Sequence, residues 1–167
     1  FANHWATTSG GSTFHTDVPG VLDNVYFDEN SFSNNEEVVL IDVASISCSE
    51  LNASVVNHSF TLSGNDASAN IYGSLYKPQN VDFSFDEFNF LSSEEQILDF
   101  NGGPVSASVN FSSQGSYQMQ SAMAVSNLDF ESGDLFTNGH MLSVNGSFAM
   151  SGDEVKNIDL DTSTVYI

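Results

Sequence analysis

Apolar and polar residues alternate in most segments of this chain, and this alternation constrains the fold more than any other feature of the sequence. Stretches such as SFTLSG at 59–64, ASVNFS at 107–112 and AVSNLDF at 124–130 place apolar side chains at every second position. This is the pattern of a strand with one buried face. Apolar residues seldom recur at the three- and four-residue intervals of an amphipathic helix. The sequence therefore predicts an all-β protein.

The second half of the chain repeats a short unit. Four segments share an apolar–polar–aromatic core followed by a small polar turn, and their aromatic residues are Phe100, Phe111, Phe130 and Phe148. Short strands that recur about every 20 residues and end in Gly or Asn are typical of a solenoid, in which successive rungs stack on one another. We therefore predict a right-handed parallel β-helix (β-solenoid).

A β-sandwich is the alternative all-β architecture. It would join antiparallel strands through tight hairpin turns, for which Asn-Gly is a favoured dipeptide. Asn-Gly occurs at 101–102, 138–139 and 145–146. Both architectures therefore remain open on this evidence, and the regular spacing of the short strands favours the solenoid.

The alternation slips once, in VDFSFDEFNF at 81–90. Phe85 and Phe88 are an odd number of residues apart, so both can point inward only if Asp86 and Glu87 form a bulge or a corner between them. Carboxylates at such a position face water. We therefore expect this segment to be a wall of the solenoid with a wet acidic side.

The charge balance limits the partners that the chain can have. It holds 22 acidic and 2 basic side chains, which gives a formal net charge of −20. Nucleic acid is excluded as a partner, because phosphate binding requires Lys and Arg, and an anionic membrane surface is disfavoured. Salt relieves such self-repulsion, since the Debye length falls to about 3 Å at 1 M. We predict an extracellular or cell-surface protein in a saline setting, without membrane insertion.

Several motifs stand out against the alternation. A tryptophan segment ends in Ser-Gly-Gly, a proline precedes an Asp-Asn-Val-Tyr-Phe-Asp motif, and a single cysteine follows a valine-rich strand. These elements and a later Gly-Asp-Leu-Phe-Thr-Asn-Gly stretch lie at Trp5, 9–11, Pro19, 23–28, 31–32, Cys48 and 133–142. Together they resemble a β-helix-like repeat module of large cell-surface proteins of Bacteroidota, which belong to gliding-motility-associated and adhesin-like chains.

The resemblance implies one β-solenoid domain over residues 1–167, with 1–45 as the N-terminal cap and first rungs. It also implies that the chain is an excerpt or a subunit of a longer surface assembly. In that setting we expect Trp5, Phe27 and Phe32 to pack together at the first rung. Asp23 and Asn24 should hydrogen-bond to nearby backbone, as Asx side chains do in turns.

Calcium is the metal that this composition can accommodate. It binds six to eight oxygen atoms from carboxylates, amides and backbone carbonyls. Acidic turns supply such oxygens at three places, although no EF-hand loop is present. The candidate calcium ligands are Asp28, Glu29, Asn65, Asp66, Asp159 and Asp161. We expect no cofactor to be required.

The sequence favours a non-catalytic structural or adhesive role in a bacterial surface protein or fibre. Joining would be end to end, with neighbouring domains or identical subunits as partners, because an uncapped solenoid exposes unpaired strand edges. A carbohydrate-binding module or a polysaccharide-acting β-helix enzyme is the alternative. Extracellular glycans would then contact exposed aromatic side chains. The candidates for that contact are Trp5, Tyr72, Tyr76 and Tyr117.

Overall fold

The computed structural model describes residues 5–15, 17–101 and 103–167, with the side chain of Asn65 also outside the described part. The described residues contain strands and turns and no helix, so no helix long and apolar enough to cross a membrane occurs among them. The strands are Val25–Tyr26 (β1), Glu37–Leu40 (β2), Ser45–Cys48 (β3), Leu51–Asn52 (β4), Phe60–Ile71 (β5), Leu75–Tyr76 (β6), Val81–Phe90 (β7), Glu95–Asp99 (β8), Pro104–Phe111 (β9), Ser116–Met119 (β10), Met123–Phe130 (β11), Gly133–Phe136 (β12), Leu142–Val144 (β13), Phe148–Ala149 (β14), Lys156–Asp159 (β15) and Val165–Tyr166 (β16).

Successive segments of the chain pass alternately through two parallel sheets. The seven-stranded sheet has the order β1-β4-β6-β8-β10-β12-β15, and the nine-stranded sheet follows the order β16-β13-β11-β9-β7-β5-β2, with β14 beside β11 and β3 beside β5. Each strand therefore pairs with the strand one turn earlier or later. The chain forms about six such turns, which is a β-solenoid. The prediction of a parallel β-helix is confirmed, and the β-sandwich alternative is wrong.

The core lies between the two sheets and consists of side chains at alternate positions. In the nine-stranded sheet, Phe90, Phe111 and Phe130 occupy the same position on three successive rungs. The ring centroids of Phe90 and Phe111 are 5.2 Å apart and those of Phe111 and Phe130 are 5.3 Å apart. Tyr117, from the seven-stranded sheet, lies 4.8 Å from Phe111. The solenoid is therefore filled by an aromatic column that links one turn to the next.

The slip in VDFSFDEFNF is a bulge, as the sequence predicts. Phe85 and Phe88 are both buried, while Asp86 is exposed and Glu87 is half-buried on the outer face. The pairing register between β5 and β7 shifts at this point, between Gly64 and Ser68. The two acidic residues thus face away from the core on the wall of the solenoid.

The Asn-Gly pair at 138–139 forms a corner instead of a hairpin. Both residues have positive φ, 51° for Asn138 and 77° for Gly139, a geometry that these two residue types adopt readily. The strands on either side, β12 and β13, belong to different sheets. This Asn-Gly pair, which was compatible with a hairpin of a β-sandwich, therefore leads the chain from one sheet of the solenoid to the other within one rung.

The four repeated segments occupy rung positions that are only partly equivalent. Phe111 and Phe130 are direct register partners, as the repeat predicts. Phe100, however, follows a strand of the seven-stranded sheet, and Phe148 pairs beside Leu128. The repeat marks the rungs correctly, but corner lengths vary, so equal spacing in sequence does not give equal position in space.

The N-terminal residues pack against the first rung. Ala6 and Phe14 form an antiparallel bridge, and the Trp5 ring lies 6.1 Å from Phe27, which stacks on Phe32 at 5.9 Å. This confirms the expected packing of the three aromatic residues. The carboxylate of Asp23 accepts a 2.9 Å hydrogen bond from the amide of Gly20. The Asn24 side chain accepts a 3.3 Å bond from the backbone amide of residue 50, one turn further on.

Candidate functional site

The first group of candidate calcium ligands lies in a turn after β1. The Asp28 carboxylate accepts hydrogen bonds from the backbone amide of Asn30 at 2.9 Å and from the hydroxyl of Ser31 at 3.2 Å. A hydrogen bond with the Ser9 hydroxyl is the largest cause that lowers the pKa of Asp28, and the bonds from Asn30 and Ser31 lower it further. Glu29 is exposed. The turn thus has an acidic residue whose oxygens already stabilise the local backbone.

The other calcium candidates lie elsewhere on the solenoid. Asp66 is exposed in the bulge of β5, with a φ of 59°, and the side chain of Asn65 lies outside the described residues. Asp159 and Asp161 are exposed near the C-terminal end, where Asp159 accepts a 3.0 Å bond from the amide of Asp161. No group of three or more His, Cys, Asp or Glu that could hold a metal ion occurs among the described residues. Calcium binding stays a prediction.

The four candidate glycan contacts do not form one surface. Trp5 is half-buried against Phe27, Tyr72 is exposed after the end of β5, and Tyr76 is half-buried on the outer face of the seven-stranded sheet. Tyr117 is completely buried, and its hydroxyl accepts a 3.0 Å bond from the amide of Ser92. The expectation that Tyr117 is exposed to glycans is wrong, because its strand position faces the core.

A tyrosine that the sequence analysis did not select completes an outward row. Tyr26, Asn52 and Tyr76 are register partners on β1, β4 and β6, while their neighbours Val25, Leu51 and Leu75 are buried. We call these three outward residues the tyrosine row. The pattern Val-Tyr-Phe at 25–27 could have revealed Tyr26, because two inward residues flank it.

Polar side chains hold the tyrosine row from one side. The Tyr26 hydroxyl accepts a 3.3 Å hydrogen bond from the side-chain amide of Asn24, two residues earlier on the same face. Burial raises the pKa of Tyr26, and the charge of Glu50 and its hydrogen bond with the Tyr26 hydroxyl raise it further. The Asn52 amide in turn donates a 2.8 Å bond to Glu50. The hydroxyl of Tyr26 is therefore engaged by polar neighbours while 56% of the residue stays exposed.

A second polar network crosses the outer face of the nine-stranded sheet. Asn70, Asn89 and Asn110 occupy successive rungs. The side-chain amide of Asn89 donates a 3.0 Å bond to Asn70, and that of Asn110 donates a 3.0 Å bond to Asn89. The Glu87 carboxylate accepts further bonds from Asn110 at 2.6 Å and from Asn89 at 3.2 Å. This carboxylate therefore links β7 to β9, while the bond from Asn89 to Asn70 extends the network to β5.

Both ends of the solenoid carry strands that are paired on one side alone within the described residues. These are β1, β2 and β3 at the N-terminal end and β14, β15 and β16 at the C-terminal end. Large apolar side chains are exposed beside them, including Leu40 at 67% and Ile167 at 75%. Unpaired edges next to apolar side chains are features of surfaces that accept further strands.

A cavity of about 300 Å³ enters the core at the N-terminal end, close to the single cysteine. Its lining is mostly apolar and includes Val25, Ile41, Cys48 and Leu62. Cys48 is buried, as free cysteines commonly are, and this burial raises the pKa of its thiol to about 12. A thiol that stays protonated is a poor nucleophile, so Cys48 is a packing residue.

Searches against protein-family models, curated proteins and solved structures each find no match to the chain. The resemblance to the surface module of Bacteroidota therefore stays a prediction.

Proposed function

We propose that this chain is a non-catalytic, extracellular structural or adhesive module of a bacterial surface protein or fibre. It presents an acidic β-solenoid and joins end to end with neighbouring domains or identical subunits. The observation that carries the proposal is the pair of solenoid ends, each with one-sided strands and exposed apolar side chains.

The backbone at the C-terminal end is arranged for continuation. The amide of Leu142 donates to the carbonyl of Thr164 at 3.0 Å, which ties that carbonyl to β13. Because successive peptide groups of a strand point in opposite directions, the N–H and C=O of Val165 point toward the free edge. A following strand in register would satisfy these groups and would cover Tyr166 and Ile167, which are 58% and 75% exposed.

The surface charge makes this joining dependent on salt. Two copies each carry a formal net charge of −20 and repel one another at low ionic strength. At about 1 M salt the Debye length is about 3 Å, which leaves the apolar and hydrogen-bonding contacts of the ends to decide association. A saline extracellular medium is therefore the setting in which the ends would meet.

Sedimentation velocity of the purified chain over a range of protein concentrations at high salt tests the proposal. We expect concentration-dependent association, and we expect Val165→Pro to weaken it, because proline removes the free N–H at the edge. Val165→Ala keeps that N–H and is the matched control. A chain that stays monomeric at every concentration and salt level contradicts the joining of identical copies, and equal association of both variants contradicts the role of the edge.

A further inference from the structure

We infer that the tyrosine row, Tyr26, Asn52 and Tyr76, with Glu50 beside it, is a binding site for a neutral β-linked polysaccharide. This site goes beyond the proposed end-to-end joining, since it uses outward side chains of the seven-stranded sheet and not the unpaired backbone of its end strand β1. Three features of the site favour such a ligand: the spacing of the two rings, the oxygen and amide groups around them, and the charge of the surface.

The spacing comes from the solenoid itself. Tyr26 and Tyr76 occupy the same outward position two rungs apart, with Asn52 between them. Two inter-strand steps place the two positions about 9–10 Å apart. An extended chain of β-linked pyranose rings presents every second ring on the same side at a comparable distance. Each tyrosine can therefore contact one sugar ring while Asn52 lies below the ring between them.

The surroundings of the rings suit hydroxyl groups. Asn24 donates a 3.3 Å bond to the Tyr26 hydroxyl, and Asn52 donates a 2.8 Å bond to Glu50. The side-chain oxygen of Asn52 accepts hydrogen bonds from the backbone amide of Ser54 at 2.9 Å and from its hydroxyl at 2.7 Å. These bonds fix the side chains before any ligand arrives, which reduces the entropy lost on binding. The Glu50 carboxylate has capacity for further donors, such as sugar hydroxyls.

The charge of this surface selects the class of sugar. Glu50 lies in the row's immediate surroundings and Asp99 follows Tyr76 as its register partner on β8, within a chain of formal net charge −20. A polysaccharide of uronic acids or sulfated sugars would meet like charge at the site. A neutral polysaccharide carries no charge, its hydroxyl groups can donate to the carboxylates, and its apolar ring faces can pack on the tyrosine rings.

Isothermal titration of the purified chain with cellohexaose, and with an alginate hexasaccharide as the acidic counterpart, tests the site. We expect cellohexaose to bind and alginate not to bind. We expect Tyr26→Ala and Tyr76→Ala each to weaken binding about tenfold or more, as truncation of an aromatic anchor does. Tyr166→Ala, at the C-terminal edge, is the matched control and should bind as the unchanged chain does.

Two further variants separate ring contact from local folding. Tyr26→Phe keeps the ring and removes the hydroxyl, so it should retain most of the affinity, while Glu50→Gln keeps the shape and should weaken binding a few-fold. Thermal unfolding of each variant checks that the rungs are intact. The inference is overturned if cellohexaose does not bind, if alginate binds more tightly, or if Tyr166→Ala loses as much affinity as Tyr26→Ala. The titration is made at low salt, where repulsion between copies keeps the ends apart, so these results do not depend on end-to-end joining.

Discussion

Truncation of Phe111 to alanine tests the aromatic column directly. Phe111 is completely buried, and its ring lies 5.2 Å from Phe90 on the preceding rung, 5.3 Å from Phe130 on the following rung and 4.8 Å from Tyr117. Because each rung of a solenoid is stabilised mainly by its neighbours, the loss of this ring weakens two inter-rung contacts at once.

The expected size of the effect follows from burial and ring contact. Removal of a buried phenylalanine side chain leaves a cavity and costs about 3–5 kcal/mol, and each aromatic pair contributes about 0.5–1.5 kcal/mol of that loss. The free energy of unfolding of native domains is about 5–15 kcal/mol, so Phe111→Ala should lose a large part of the stability of the chain. Phe14→Ala is the same chemical change at a residue that is 51% exposed, and it should cost about 1 kcal/mol or less.

Urea unfolding followed by far-UV circular dichroism measures both variants on one scale, with the free energy of unfolding extrapolated to water. The predicted result is a large shift of the urea midpoint for Phe111→Ala and a small one for Phe14→Ala. A loss of less than about 1 kcal/mol for Phe111→Ala, or equal losses for the two variants, would refute the claim that the column holds the rungs together.

Three further predictions follow from the geometry and the charge. Gly133→Ala should destabilise the chain by about 2–4 kcal/mol in chemical unfolding, because φ is +89° and a Cβ would clash with the backbone oxygens of Gly115 and Ser113. Gly20→Ala is the control and should be nearly neutral, because its Cβ would meet its nearest atom at 3.7 Å. The melting temperature should rise from low salt to about 1 M NaCl and equally in choline chloride; no rise, or a rise in one salt alone, would contradict simple screening. The free energy of unfolding should fall as pH rises from about 9 toward 12, because burial raises the folded-state pKa of Cys48 to about 12 and the unfolded chain therefore loses its thiol proton first. Cys48→Ala should make this fall less steep when unfolding is measured across that pH range. An unchanged slope in the variant would contradict the role of the thiol.

The solenoid could be predicted because its repeating constraint is local. Inward residues alternate with outward residues along every strand, so the period of two and the slip between Phe85 and Phe88 are legible in the sequence. The lengths of the corners are not constrained in this way. Sequence distances between register partners therefore vary from 18 residues, between Gln118 and Phe136, to 26, between Val25 and Leu51.

The candidate glycan site was harder to predict, because exposure depends on the register between rungs. Tyr117 has the polar neighbours Ser116 and Gln118, which suggest a surface position, yet its side chain points inward and is buried. Tyr26 was overlooked, although its place between Val25 and Phe27 determines its outward direction. Tyr26 lies in the same row as Tyr76, 50 positions later in the chain, because β1 pairs with β4 and β4 pairs with β6. This long-range pairing cannot be predicted from the residues next to Tyr26.

Negative-stain electron microscopy of the purified chain, at low salt and at about 1 M salt, with calcium and with chelator, tests whether the solenoid ends join. Six inter-strand steps of the seven-stranded sheet correspond to about 29 Å of solenoid length. We expect rods whose lengths are multiples of one module in high salt, and single particles at low salt. A requirement for calcium would assign ions to the acidic turns. Single particles of one length in every condition would contradict end-to-end joining of identical copies.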